Sequence, residues 1–211
     1  MRKVYPSVGI FIAALSLVAC SQELGRDFAR YYDEQGLFAL DLPSANDITV
    51  TQPQQAEEGP GLLTGVVSSP PAPSPAPQTG FGLGVTANEQ PDQTTYRAFA
   101  VTSGGFATLE EMTLFFVTGD PLVDVLIDDR TRLDGAPARL VVADIVSEGQ
   151  VSASIAVAVS LGDGDTGYLL AAIFPPGSWD AERGDFERVL ASFRAGLPPG
   201  LETFPVVGQA S

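Results

Sequence analysis

The clearest pattern in the chain lies between Val151 and Leu161. Val151, Ala153, Ile155, Val157, Val159 and Leu161 fall on one side of an extended strand, and Ser152, Ser154, Ala156, Ala158 and Ser160 on the other. One face is a core face, and the other is small enough to be covered closely by a further layer. Val123–Leu133 and Ala138–Ser147 precede it as long strands, joined at Asp134-Gly135, a dipeptide that tolerates the positive φ of a tight hairpin. After the turn Gly162–Gly167, Tyr168–Phe174 is continuously apolar, as in a central strand covered on both faces. Nearer the start, Phe28–Asp33 and Leu37–Leu42 flank Glu34-Gln35-Gly36 and predict a hairpin that Pro43 ends. Ile48–Gln52, Leu62–Val67 and Gly80–Asn88 predict further strands.

Two segments change to helical spacing. Thr108-Leu-Glu-Glu111 is a capping box, and Leu109, Met112 and Phe116 predict a helix from Leu109 to about Thr118, with a strand over Thr113–Val117 as the alternative. Phe186, Val189, Leu190 and Phe193 stand at i, i+3, i+4 and i+7, predicting a helix from about Asp180 to Arg194 that lies on a sheet. Asp180 and Glu182 near its start and Arg194 near its end suit the helix dipole, and Gly196 is the predicted stop. Gly184 costs about 1 kcal/mol relative to alanine, so the helix has the option of beginning there. A strand meander bracketed by amphipathic helices is an α+β fold, a sandwich around one sheet.

The segment Ser68–Thr79 (SSPPAPSPAPQT) holds five prolines and is read as a loop, residues 69–79, inserted in one domain over residues 28–197. Residues 198–211 are read as a loose tail. At the other end, Arg2 and Lys3 precede the apolar stretch Val8–Val18, which closes in Leu17-Val18-Ala19-Cys20. This resembles the lipobox of bacterial lipoproteins, which implies a signal peptide over residues 1–19, an acylated Cys20 and a short tether over residues 20–27. The uncharged run from Val4 to Ala19 falls short of the ~20 residues of a transmembrane helix. Durable attachment takes two or more acyl chains.

Composition narrows the chemistry. Loss of Arg2 and Lys3 with the signal takes the formal charge from −15 to −17 and removes the sole lysine. So acidic a chain repels phosphate backbones, which excludes nucleic acid as a partner. There is no histidine, and Cys20 is the sole cysteine, so His-assisted hydrolysis, His or thiolate metal sites and internal disulfides are excluded. No cofactor is expected. Asp163 and Asp165 in the Gly162–Gly167 turn are weak candidates for a calcium site, because the ligand pattern of an EF-hand is missing and tight turns select the same residues.

Arg130, Arg132 and Arg139 form the one concentration of positive charge, beside Asp128, Asp129 and Asp134. They are read as charge compensation across a solvated hairpin or as a contact for a partner. Asp144, within an apolar strand, needs a partner if buried, and an arginine on a neighbouring strand is expected. Tyr31, Tyr32, Phe38, Phe81, Phe99, Phe106 and the pair Phe115-Phe116 are expected to pack the core, with a ligand groove as the alternative.

Three short motifs occur in order. Tyr32-Asp33, Gly36, Phe38, Leu40 and Pro43, then Asp134-Gly-Ala-Pro-Ala138, then Leu190-Ala-Ser-Phe193 resemble the opening, the mid-domain hairpin and the closing helix of the PsbP-like family. The resemblance implies an α/β/α sandwich on a central antiparallel sheet, and a family whose members bind or assist other proteins and are not typically enzymes. The expectation is therefore a bacterial lipoprotein, anchored at the outer face of the cytoplasmic membrane or in the outer membrane. It would act as a non-enzymatic protein-binding or assembly module. The alternative is a carrier of a small apolar ligand or lipid, which needs an empty apolar pocket of several hundred Å³. Cys20→Ser should leave the protein uncut or soluble while the domain still folds, as membrane fractionation would read. Retention of a correctly trimmed Cys20→Ser protein at the membrane would contradict the anchor.

Overall fold

The computed structural model describes residues 26–54, 60–71, 91–103 and 105–196. Within them the chain forms β1 (Phe28–Tyr32), β2 (Phe38–Pro43), β3 (Asp47–Thr51), β4 (Leu62–Ser69), β5 (Thr95–Thr102), α1 (Leu109–Thr113), β6 (Val123–Leu133), β7 (Ala136–Ser147), β8 (Gln150–Leu161), β9 (Thr166–Phe174), α2 (Trp179–Ser192) and β10 (Arg194–Ala195). The main sheet has the order β3-β4-β5-β9-β8-β7-β6, antiparallel throughout, and a small second sheet has the order β1-β2-β10. Positive φ at Asp134 and Gly135, and again at Glu148 and Gly149, gives two-residue hairpin turns whose twist matches the strands they join.

The alternation in β8 sorts the core into two layers. On one face of the sheet, Ala98, Ala100, Ala138, Ala156, Ala158 and Ala172 make a low floor, filled from above by Phe38, Phe186 and Phe193. These aromatics come from β2, α2 and the residue that ends α2, so the helix and the small sheet together make the covering layer. On the other face, Val141, Ile155, Val157, Val159 and Leu169 stand taller, and Met112 and Val117 cover them. The α+β sandwich expected from the sequence is the fold observed.

The small sheet is tied down by polar contacts as well. Buried Asp33 accepts from Gln35 N, Leu37 N and Thr64 Oγ1 (2.7 Å), joining the β1–β2 turn to β4 of the main sheet. Arg30 donates to Ser192 O at the end of α2 (2.6 Å), and Asp134 accepts from Ala195 N (2.9 Å).

Several expectations change. The strand beside β4 is β5, Thr95–Thr102, which the sequence reading did not place; Gly80–Asn88 lies outside the described residues. Ser69, taken as the first residue of the proline-rich loop, ends β4 opposite Asp47. The first helix is α only to Thr113, and Leu114–Thr118 is a π turn closed by Gly119 N donating to Leu114 O at 2.7 Å. A Cβ at position 119 would lie 2.5 Å from that carbonyl oxygen, so the wide turn closes on a glycine. The second helix starts at Trp179, ahead of Gly184, because Trp179 packs edge-on against Phe174 and Phe186. Gly196 does not stop it: Phe193 already has extended backbone, and Arg194 caps the helix from outside by donating to Ala191 O at 3.0 Å.

The alanine floor yields a test. Ala156→Leu inserts three carbons between β8 and its covering layer and should cost about 1–3 kcal/mol by overpacking, seen as a lower urea midpoint at unchanged m-value. A change within 0.5 kcal/mol would mean that the covering layer yields.

Candidate functional site

On the face of the sheet that carries α1, the helix does not reach the far end of the β6–β7 hairpin. That leaves a groove of about 920 Å³ with Leu109 and Glu110 on one side and Asp128, Arg130, Arg132, Pro137 and Arg139 on the other. Thr108 positions the first wall: its Oγ1 accepts from Glu111 N at 3.1 Å, while Glu111 reaches back to Ala107 N at 2.8 Å. The second wall follows from strand register. Asp128 faces Val141, Arg130 faces Arg139 and Arg132 faces Pro137, which puts Asp128, Arg130, Arg132 and Arg139 on the α1 side.

The three arginines predicted as a group are brought together, but they are not equivalent. Arg139 is held in a two-pronged pair with Asp128, at 2.6 Å from Nε and 2.5 Å from Nη2. Those hydrogen bonds hold the Asp128 carboxyl below its usual range and raise the Arg139 guanidinium. Arg132 donates to the carbonyl of Gly135 in its own turn at 2.6 Å. Arg130 stands directly opposite another arginine and makes no ion pair among the described residues. The site therefore has one closed ion pair and two arginines, Arg130 and Arg132, that make no ion pair among the described residues, with Glu110 on the facing wall.

Of the three aspartates, Asp128 lies on this face by register, and Asp129 also lines the groove. Asp129 pairs with Leu140 on the opposite side of the strand. Asp134 turns toward β10, 3.7 Å from Arg194 Nε, an ion pair the sequence reading did not foresee. Asp144 takes a hydroxyl in place of the expected arginine: Ser154 Oγ donates to it at 2.6 Å from the neighbouring strand. Asp165 accepts from Ser103 Oγ within a tight turn in which Gly164 has φ +71°, and the described residues contain no group of three or more acidic, His or Cys side chains placed to hold a metal.

The aromatic residues do not line one groove. Phe38 is buried under α2, Phe99 lies on the opposite face, and Tyr32 is 45% exposed with the Arg30 guanidinium over its ring. Phe116 packs with Phe106 against the core, but Phe115, expected inside with it, is 57% exposed, and so is Leu114. Ordinary helical spacing explains this: with Leu109, Met112, Thr113, Phe116 and Val117 on the inner side, Leu114 and Phe115 fall on the outer side. Cys20 and Phe81 lie outside the described residues. No described helix is long and apolar enough to cross a membrane.

This arrangement, a twisted antiparallel meander with one short helix on one face and a long helix with a small sheet on the other, defines a PsbP-like α+β fold. The cyanobacterial PsbP (CyanoP) of Synechocystis superposes with a TM-score of 0.53 at 12% identity, over 85% of this chain and 98% of that one. The Ran-binding protein Mog1p of Saccharomyces cerevisiae (TM-score 0.44, 11% identity, 81% of this chain and 96% of that one) is more distant. So is LpqN of Mycobacterium tuberculosis (TM-score 0.41, 12% identity, 82% and 92%), described as involved in cell envelope biogenesis. No family model and no curated protein matches the chain.

The Asp128–Arg139 pair carries a pH signature. Because folding lowers the Asp128 pKa, its contribution is present above the unfolded carboxyl value near 4 and fades as pH falls through the lower folded value. The pair is about a third exposed, so Asp128→Asn should cost no more than about 1 kcal/mol at pH 7. That loss should shrink as pH falls below the usual carboxyl range, as urea titrations at pH 7 and in acid would show.

Proposed function

We propose that this protein is a membrane-anchored bacterial lipoprotein that works by protein contact, without catalysis, through the groove between α1 and the β6–β7 hairpin. The observation that carries this reading is the pair Arg130 and Arg132, two arginines in an open groove that make no ion pair among the described residues. Such a site attracts carboxylates and presents guanidinium groups suited to hold them in two-pronged fashion. It stands on the rigid hairpin of a long sheet, so a partner pays little to order it. The lipobox-like Leu17–Cys20 supports an anchor through lipid on Cys20, and hence a place at the outer face of the cytoplasmic membrane or in the outer membrane. In this organisation residues 1–19 are a signal, 20–27 a tether, 28–197 the working domain and 198–211 a tail. The groove has charged walls, and packed side chains fill both faces of the sheet, which disfavours the carrier of a small apolar ligand.

Arg130→Glu/Arg132→Glu in the lipidated protein should reduce partner recovery from native membranes at least tenfold, with stability changed by no more than about 0.5 kcal/mol. Arg139 is left untouched because its loss would strand Asp128. A hydrolytic or transferase activity that survives purification and disappears with a single Asp or Glu substitution would overturn the reading.

A further inference from the structure

The free edge of the main sheet is β6, eleven residues long and uncovered among the described residues, whereas β3 at the other edge has five. Long uncovered edges are templates for another strand, and proteins ordinarily shorten, bend or cover them. Here a bulge between Val125 and Ile127 divides the edge, and from Ile127 to Leu133 the pairing with β7 is regular. This regular stretch carries Arg130 and Arg132 on its α1 side. Just beyond the bulge, five of the large apolar side chains exposed on the described surface come from one short stretch of chain: Leu114, Phe115, Leu122, Val125 and Leu126. The π turn that carries the first two packs beside β6, and Leu122 O accepts from Val146 N at 2.8 Å, so the patch is continuous with the strand.

Resting on the protein-contact reading above, we propose that the partner binds as an added strand along Ile127–Leu133, through an extended segment with carboxylates at one end and apolar side chains at the other. The carboxylates meet Arg130 and Arg132, and the apolar end covers Leu114, Phe115 and Leu126. Main-chain hydrogen bonds to an edge supply affinity in this mode, and alternate side chains supply selectivity. The side on which the chain enters argues against the membrane as the occupant. Arg26, the first described residue, bonds Glu182 at 2.7 Å and lies 3.4 Å from Asp185, both on α2, across the sheet from α1. The described chain thus begins on the α2 side, away from the groove on the α1 side.

The test uses the full-length protein in its own cells, with a photo-crosslinking phenylalanine analogue at Leu126 or, as a control edge, at exposed Ile48 on β3. The expected result is a cross-link from Leu126, and not from Ile48, to one protein segment that carries Asp or Glu beside apolar residues. Arg130→Glu/Arg132→Glu should lower its yield at least tenfold. A synthetic peptide of that segment should slow amide exchange at least tenfold within Ile127–Leu133. Cross-links to lipid, to a second copy or to this chain's own residues would overturn the proposal, as would a peptide that leaves those amides unprotected. If the arginine variant loses its partner while Leu126 gives no cross-link, protein contact stands and strand addition falls.

Discussion

The molecule depends on a difference in height between the two faces of one sheet. Alanines on the α2 side of β5, β7, β8 and β9 let a whole layer approach closely, and the aromatic rings of Phe38, Phe186 and Phe193 occupy the space those alanines leave. Had both faces carried valine and isoleucine, α2 and the small sheet could not both have been seated on the same side. The taller face needs less cover, and α1 with its π turn supplies it. A short cover is what leaves the end of the β6–β7 hairpin open. The groove is thus a consequence of how the core is divided.

Much of this was legible in the chain. The alternation in β8 gave both faces and their unequal depth, the Asp134-Gly135 turn gave the hairpin, and the spacing of Phe186, Val189, Leu190 and Phe193 gave the buried stripe of α2. β5 was missed because Thr95-Tyr-Arg-Ala-Phe-Ala-Val-Thr102 reads as a weak mixture. Its alanines make sense only as part of the floor under α2. The π turn was missed for a similar reason. Leu114-Phe115-Phe116-Val117 continues a helical pattern, and only the close approach of Gly119 to the Leu114 carbonyl shows that the turn is wider.

The candidate site was half legible. Composition singled out Arg130, Arg132 and Arg139, but spacing in sequence does not say which arginine a carboxylate will claim. Cross-strand register does: Arg139 lies within reach of Asp128, and Arg130 is left facing a like charge. The same register moved Asp129 to the other face and sent Asp134 to Arg194. The exposure of Leu114 and Phe115 was legible in the spacing, since Leu109, Met112 and Phe116 at i, i+3 and i+7 leave both on the outer side of the helix.

The order β1-β2-β10 in the small sheet has a mechanical consequence. Both outer strands run antiparallel to β2, so they run parallel to each other, with the chain entering beside Pro43 and leaving beside Phe38. Tension between the two ends of the domain is therefore directed along the strands and must cross β2. The backbone hydrogen bonds on each side of β2 then share the load in shear and are not peeled apart one at a time. A protein held at its N-terminal end and pulled from beyond β10 would resist first at this small sheet, before any force reached the seven strands beneath it.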